Sequence, residues 1–581
     1  MPGFLGVYNE NANFLNCFDN CKRLDLINDK VFTESVYLER RTINKFLNDK
    51  LFLETEKFII ITEGVILNSK DLIIKYQKNN FGLTVLEMID QNPNDFFNEF
   101  RGSFSGLVYD KQSDCLQIYT DHIGSKQVFY SQTNKGFCFG SEINFLTEFY
   151  KNNNIQYSLD ISGAYLLLTF GFMLEDYTLF KEFKKLKPGH YLKFQNGKIK
   201  NIQYYRLNNT PNYNLSEEEI VNNIDALFRQ AVKRAFEKDN EYGYKHLADL
   251  SAGLDSRMTT WVAHDLGYSE NIVNVTFSQT NYWDEFTPKA ISNELKHDWI
   301  FKSLDNGSCL KLLEPVVKIT SGGAFYFGNS HGKSVLDLIN TQLFGITHSG
   351  QIGDVIIGTF YSSLDMNKPF TLSDGVYSKV LLNRLNLGML KDTYENEEIF
   401  KFYGRAFTGA NQGLLTSQEF LETFSPFYEI EFMNFCLTIP LELRFGHYIY
   451  DKWVVTKYPD AAKYPHNEGR KITGKKPHWI RVGNRYVKSN EFIQRTWNYL
   501  LRKIGIIRSG TTSKNDMNPF DYWYQTNQDV KNFMDSYFQT NIIRLSEFSE
   551  LQKDCINMYN NHKVIEKVQV LTLLAVMKLY F

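Results

Sequence analysis

Hydrophobic and polar positions follow two different rhythms along this chain. Through about residue 200 the apolar residues come in short runs with a period near two. Phe58 to Leu67 reads as a buried strand broken by a turn-like Glu63-Gly64, and Ser103–Tyr109 alternates. After the polar turn Asp110–Asp114, Cys115–Tyr119 follows, which predicts a hairpin. Gly136–Gly140 predicts another strand, and Ser141-Glu142 a cap for the next helix. Many strands with helices between them predict a layered α/β/β/α sandwich over residues 1–207. Asn208–Asn214 is polar throughout and predicts a linker.

From residue 215 the rhythm changes. Ser216 and Glu219 have capping-box spacing and start a helix that runs to about Glu237. His246–Leu250 predicts a strand, Arg257–Ala263 a helix ending near Gly267, Ile272–Ser278 a second strand, and Trp283–His297 a second helix. This alternation predicts a doubly wound parallel sheet within residues 215–581, with its ligand at the carboxyl ends of the strands. Leu571–Phe581 predicts a terminal core helix, so the C-terminal part is expected to be helical.

The turn Leu250-Ser251-Ala252-Gly253-Leu254-Asp255-Ser256 stands between the first of those strands and its helix. Ala252 and Gly253 let backbone N–H groups approach an anion, Ser251 and Ser256 add hydroxyl donors, and the helix dipole favours negative charge. Asp255 would repel a bare phosphate, and makes sense with a divalent cation between the two. The turn has neither the Gly-Lys-Ser/Thr ending of a Walker loop nor the G-x-G-x-x-G of a dinucleotide site.

At 581 residues the chain exceeds one hydrophobic core. Its 43% apolar and 22% charged residues are those of a globular protein, and a net charge of -2 offers nothing to nucleic acid. The seven cysteines are scattered, and Cys17 and Cys21 lack the second pair that a zinc site needs. No signal peptide is legible, and the longest apolar run, Ala164–Leu174, is shorter than the ~20 residues of a membrane span. A cytoplasmic protein with free thiols, no membrane and no nucleic acid is expected, with a homodimer left open.

Several stretches resemble one known family. Leu250–Ser256 is similar to the pyrophosphate loop "SGGLDS" of the ATP pyrophosphatases, in particular asparagine synthetases and β-lactam synthetases, with Ala252 at the first glycine. Arg101-Gly102-Ser103-Phe104, Asp121–Lys126 and Gly140–Ile143 resemble three consecutive blocks of the class II glutamine amidotransferase domain that opens asparagine synthetases. Gly64 and Asn68 resemble the glycine and last asparagine of its "NGEIYN" segment. Leu159-Asp160, Thr178–Phe180 and Lys187–Tyr191 resemble the stretch that closes it. The resemblance implies an Ntn-hydrolase-like sandwich followed by an ATP-pyrophosphatase domain. Two departures imply that the first domain does not hydrolyse glutamine. Pro2 stands at the place of the nucleophilic cysteine, and Glu63 at that of an oxyanion-hole asparagine, where a carboxylate has the wrong sign.

In the second domain Gly345–Asp354 resembles the family's "LSGEGADE" block, so Ser349 and Gly350 join Leu250, Ser251, Gly253, Asp255 and Ser256 as expected nucleotide contacts. Asp354 is then expected to hold Mg2+ with Asp255. The resemblance places Val275 and Phe277 against the adenine. Gln351 stands where the family varies with acceptor chemistry; a neutral amide positions a substrate but is no general base. Ser425–Phe432 and Ile439–Arg444 resemble later blocks, whereas Tyr450–Trp453 departs, so Lys452 and Lys471 are both candidates for the adenylation lysine. Residues 475–515, basic and rich in Gly, Ser and Thr, suit a flap over the site and equally an exposed loop with no catalytic role. The implied activity is an ATP- and Mg2+-dependent ligase that adenylates a small-molecule, peptide or saccharide carboxylate, releases pyrophosphate, and passes the acyl group to an amine other than ammonia from glutamine. A catalytically silent scaffold and an asparagine synthetase fed by free ammonia are the alternatives.

Overall fold

Period-two burial organises the first two hundred residues, as the strand Phe58–Ile66 shows. Phe58 and Ile60 face one apolar layer and Ile59 and Ile61 another. We describe a computed structural model that covers residues 2–9, 26–366, 368–466, 469–482, 485–489 and 510–581. Cys17 and Cys21 lie outside the described residues, as does much of the expected flap. Among the described residues the strands of the first domain are β1 (Gly3–Tyr8), β2 (Ile27–Phe32), β3 (Val36–Thr42), β4 (Phe52–Glu54), β5 (Phe58–Ile66), β6 (Gly102–Asp110), β7 (Cys115–Thr120), β8 (Phe129–Thr133), β9 (Gly136–Gly140), β10 (Lys184–Lys185), β11 (His190–Gln195) and β12 (Lys198–Gln203). They form two six-stranded antiparallel sheets in the orders β10-β8-β9-β1-β3-β2 and β12-β11-β7-β6-β5-β4. Phe4, Leu38, Ile59, Leu107 and Phe137 fill the space between the sheets. Helix Phe81–Gln91 covers the outer face of one sheet and helices Ile143–Asn152 and Ile161–Phe170 that of the other, which makes the expected α/β/β/α sandwich.

Two local expectations need correction. Glu63-Gly64 does not break β5, because both residues stay in register opposite Ser105 and Phe104. Gly64 permits this with a φ of +102°, where a Cβ would lie 2.1 Å from the Ser103 carbonyl oxygen. Ser141 does not cap the following helix; its hydroxyl accepts the Phe4 N–H of β1.

The second domain is built on five parallel strands, β13 (Lys245–Asp249), β14 (Ile272–Ser278), β15 (Asp298–Ser303), β16 (Phe344–His348) and β17 (Glu422–Phe424), in the order β15-β14-β13-β16-β17. The helices Leu254–Asp265 and Trp283–Leu295 pack on one face, and Phe327–Leu336 packs on the other. The chain thus reverses its winding between β13 and β16, which opens a crevice at their carboxyl ends. The expected capping box is present: Ser216 and Glu219 start helix Glu217–Glu241. Near the end of that helix the buried Asp239 carboxylate accepts from His246, His348 and the Ile346 N–H, tying it to both central strands.

The two domains are packed together, and the expected linker is part of the contact. Asn209 is buried and donates to Glu398. The helix Val564–Tyr580 is buried along almost its whole length and reaches the first domain, where Gln569 donates to the Leu167 carbonyl. No helix among the described residues is long and apolar enough to cross a membrane.

Candidate functional site

The turns that follow β13 and β16 touch. Gly350 and Gly353 make this possible: a Cβ on Gly350 would lie 2.2 Å from the Ser256 nitrogen, and one on Gly353 2.8 Å from the Asp255 carboxyl carbon. Asp255 and Asp354, 99 residues apart, are thereby brought together, and the Asp354 N–H donates to Asp255 Oδ2 at 3.0 Å. Burial and the Asp354 charge push the Asp255 carboxyl well above its usual range, and burial raises that of Asp354. Two carboxylates that disfavour each other's charge, in a cradle that a side chain would fill, suit a divalent cation. Asp255 and Asp354 are the residues that would hold Mg2+.

Tyr450 was not anticipated. Its buried hydroxyl donates to Asp255 Oδ1 at 2.9 Å, and burial and the Asp255 charge push the phenol well above its usual range, so it remains a donor. Tyr450 and the Asp354 N–H thus engage one oxygen each of the Asp255 carboxylate. Outer partners of a metal ligand typically change affinity by about 10–100-fold. Tyr450→Phe is therefore expected to weaken Mg2+ binding about tenfold with no change in fold, as checked by calorimetric titration with Mg2+ and pyrophosphate.

The 251–256 turn is held by its own polar groups. Ser251 N–H and Oγ both reach the Ser256 hydroxyl at 2.9 Å, and the Gly253 N–H donates to Ser251 Oγ at 3.1 Å. Helix Leu254–Asp265 begins here, so its positive end faces the crevice. A second unanticipated residue is Asp284, whose buried carboxylate accepts the Ala252 N–H at 2.7 Å and takes that donor from any phosphate. Arg257 fastens the turn from beneath through the carbonyls of Ala252, Ala461, Tyr464 and Pro465.

Other expected contacts fare unevenly. Leu250 is buried; its N–H bonds the Val275 carbonyl and its carbonyl accepts the Thr276 hydroxyl, so it presents no free group. Val275 is buried in the core with Leu247 and Leu336, and of the two proposed adenine contacts only Phe277 is half-exposed. The Ser349 side chain is 1% exposed, whereas Gly350 lines the turn. Gln351 is fixed by the Tyr428 hydroxyl, which donates to its Oε1 at 2.8 Å. Lys452 pairs with Glu217 beside Tyr448, on the face of its helix away from Tyr450. Lys471 is exposed, and among the described residues no hydrogen bond or ion pair joins it to Asp255. The cation whose field acts on Asp354 is Arg405.

Glu63, the residue that departs from the amidotransferase pattern, has a structural counterpart. It accepts from Thr42 at 2.9 Å and lies 3.4 Å from Lys50. Lys50 is 2.7 Å from Glu422 of β17, and Glu422 is 2.7 Å from Lys126. This buried chain of alternating charges joins the two domains. Burial disfavours the Glu422 charge, but Lys126 and Lys50 more than offset it and hold the carboxyl at about 2.

Residues 47–205 match the family described as "Glutamine amidotransferase domain". Two curated relatives are similar over part of their length. Asparagine synthetase [glutamine-hydrolyzing] 1 of Bacillus subtilis (strain 168) is 24% identical over 221 residues, 38% of this chain and 34% of the relative. Asparagine synthetase [glutamine-hydrolyzing] 2 of the same organism is 23% identical over 247 residues, 40% of this chain and 32% of the relative. The match thus spans about a third of each relative's length. Among solved structures, glutamine phosphoribosylpyrophosphate amidotransferase from B. subtilis, complexed with ADP and GMP, aligns at 10% identity over 71% of this chain and 89% of that one, with a TM-score of 0.24. The similarity to a glutamine amidotransferase domain lies within the N-terminal domain.

Proposed function

We propose that this chain is an ATP-dependent, amide-forming ligase that adenylates a carboxylate, releases pyrophosphate, and passes the acyl group to an amine. The observation that carries this is the meeting of Asp255 and Asp354 at the carboxyl ends of adjacent strands, over a helix N-terminus. When bound, Mg2+ neutralises phosphate charge between these two carboxylates. The positive end of helix Leu254–Asp265 and the Ser251 and Ser256 hydroxyls face the pyrophosphate. The energetic logic is that a carboxylate does not lose hydroxide at neutral pH, whereas AMP departs from an acyl-adenylate when an amine attacks.

Glutamine is not the amine source in this reading. Pro2 is buried at the start of β1, Glu63 is spent on an ion pair, and the described cysteines are buried, free thiols. Burial pushes Cys138 and Cys436 above the usual thiol range, which makes them poor nucleophiles. The acceptor is free ammonia, an amine on a second substrate, or one on the same molecule, as in ring closure. The Asp284 carboxylate on the Ala252 N–H supports a second reading, a scaffold that keeps the fold without turnover.

Incubation with ATP, Mg2+ and a panel of amino, peptide and sugar acids, with pyrophosphate as readout, tests this. Pyrophosphate is expected with at least one acid, and none with Asp255→Ala. Pyrophosphate from no acid favours the scaffold. Glutamate released from glutamine contradicts the account of the first domain.

A further inference from the structure

One carboxylate beside the nucleotide loop has no part in the scheme above. Asp249 ends β13, immediately before Leu250, and is half-buried. Among the described residues its side chain has no hydrogen-bond or ion-pair partner, and burial alone acts on it, pushing the carboxyl up to about 7. A half-buried carboxylate with no partner in the protein leaves its oxygens open to a donor.

Its position says what that something is. Asp249 stands opposite Val275 in the parallel register, so the alternation of β14 puts it on the same face of the sheet as Phe277. The Phe277 ring is half-exposed and lies 6.0 Å from the His331 ring. On that side of the sheet two more buried nitrogens lack partners, Nε2 of Gln279 and Nε2 of His331. The Gln279 side chain is held in place by Trp523, whose indole N–H donates to its Oε1 at 3.2 Å. An aromatic face, an acceptor without a donor and a fixed amide without an acceptor, all at the carboxyl end of the central strands, suit a heterocycle bearing both kinds of polar group.

We propose that Asp249 is a nucleoside-recognition residue, accepting hydrogen bonds from ribose hydroxyls or from an amino group of a base laid against Phe277. The proposal rests on the nucleotide reading above and adds the residue that discriminates among nucleotides. Among the described residues Asp249 has no hydrogen bond or ion pair to Asp255 or to the 251–256 turn. Its removal therefore separates base and ribose binding from phosphate binding.

The test is calorimetric titration of wild type, Asp249→Asn and Asp249→Ala with Mg-ATP, Mg-2′-dATP, Mg-3′-dATP, Mg-ITP and Mg-pyrophosphate. Both variants should fold, because Asp249 is half-buried and no group among the described residues bonds its side chain. Wild type is expected to bind Mg-ATP about tenfold more tightly than either variant, as suits a charge-assisted hydrogen bond. Mg-pyrophosphate should bind all three equally. If the donor is ribose, wild type prefers ATP to a deoxy analogue and the variants lose that preference. If the donor is the base amino group, the preference over ITP is lost instead. Equal ATP affinity in all three proteins, with pyrophosphate binding intact, overturns the role of Asp249 and leaves the ligase reading standing. Failure of wild type to bind either ATP or pyrophosphate overturns both.

Discussion

Glu422→Ala should lower the stability of the chain by about 3 to 5 kcal/mol, the usual cost of removing one partner from a buried ion pair. Glu422 is 0% exposed and is the only acidic partner within ion-pair range of both Lys50 and Lys126 among the described residues. Its loss leaves two ammonium groups at the domain boundary with Glu63 as the remaining counter-charge. Urea denaturation of the variant and wild type measures this, and a loss under about 1 kcal/mol would place the pair among those of surface strength. The pH dependence has a definite sign. Glu422 is held at about 2, below an unfolded value near 4.3. Its contribution is therefore fully present above about pH 4.3 and is lost as the pH falls through about 2, so the gap between wild type and Glu422→Gln should narrow over that window.

The largest effect on activity is expected from Asp255→Asn. It removes one of two charges available to Mg2+ while keeping an acceptor for Tyr450. Pyrophosphate-forming turnover should fall more than about a hundredfold, beyond the range that outer partners of a metal ligand produce. Folding should survive, because Asp255 is a carboxylate whose charge burial and Asp354 both disfavour. A variant that unfolds, or one that turns over like wild type, would contradict the assignment. Lys452→Ala serves as the comparison. Since that lysine pairs with Glu217, turnover should remain close to that of wild type.

Much of the architecture was legible because it rests on local pattern. The alternation in Phe58–Ile61, the capping box at Ser216 and Glu219, and the apolar runs of β13 and β14 each fix an element from neighbouring residues. The pairing of Asp255 with Asp354 was legible from resemblance, and two glycines make it sterically feasible. Lys452 and Tyr450 stand two residues apart in helix Tyr448–Lys457, so their side chains leave it on different faces. Tyr448, Ile449, Tyr450, Asp451, Trp453 and Val454 of that helix are all buried and go right round it, so burial pattern alone does not single out Tyr450. Glu63 could not be understood locally at all: Lys50 lies 13 residues away and Glu422 more than 350, and only the docking of β17 against the first domain joins them. Asp284 and the buried state of Val275 likewise depend on how helices close over the sheet, which no periodicity records.

Binding of pyrophosphate, with and without Mg2+, tests the central claim most directly because it needs no knowledge of the acid or the amine. Calorimetric titration of wild type should show tight binding of Mg-pyrophosphate that collapses when Mg2+ is chelated, and that is absent in Asp255→Asn and in Asp354→Asn. Binding that ignores Mg2+, or that survives both substitutions, would contradict the assignment of these two carboxylates and with it the ligase.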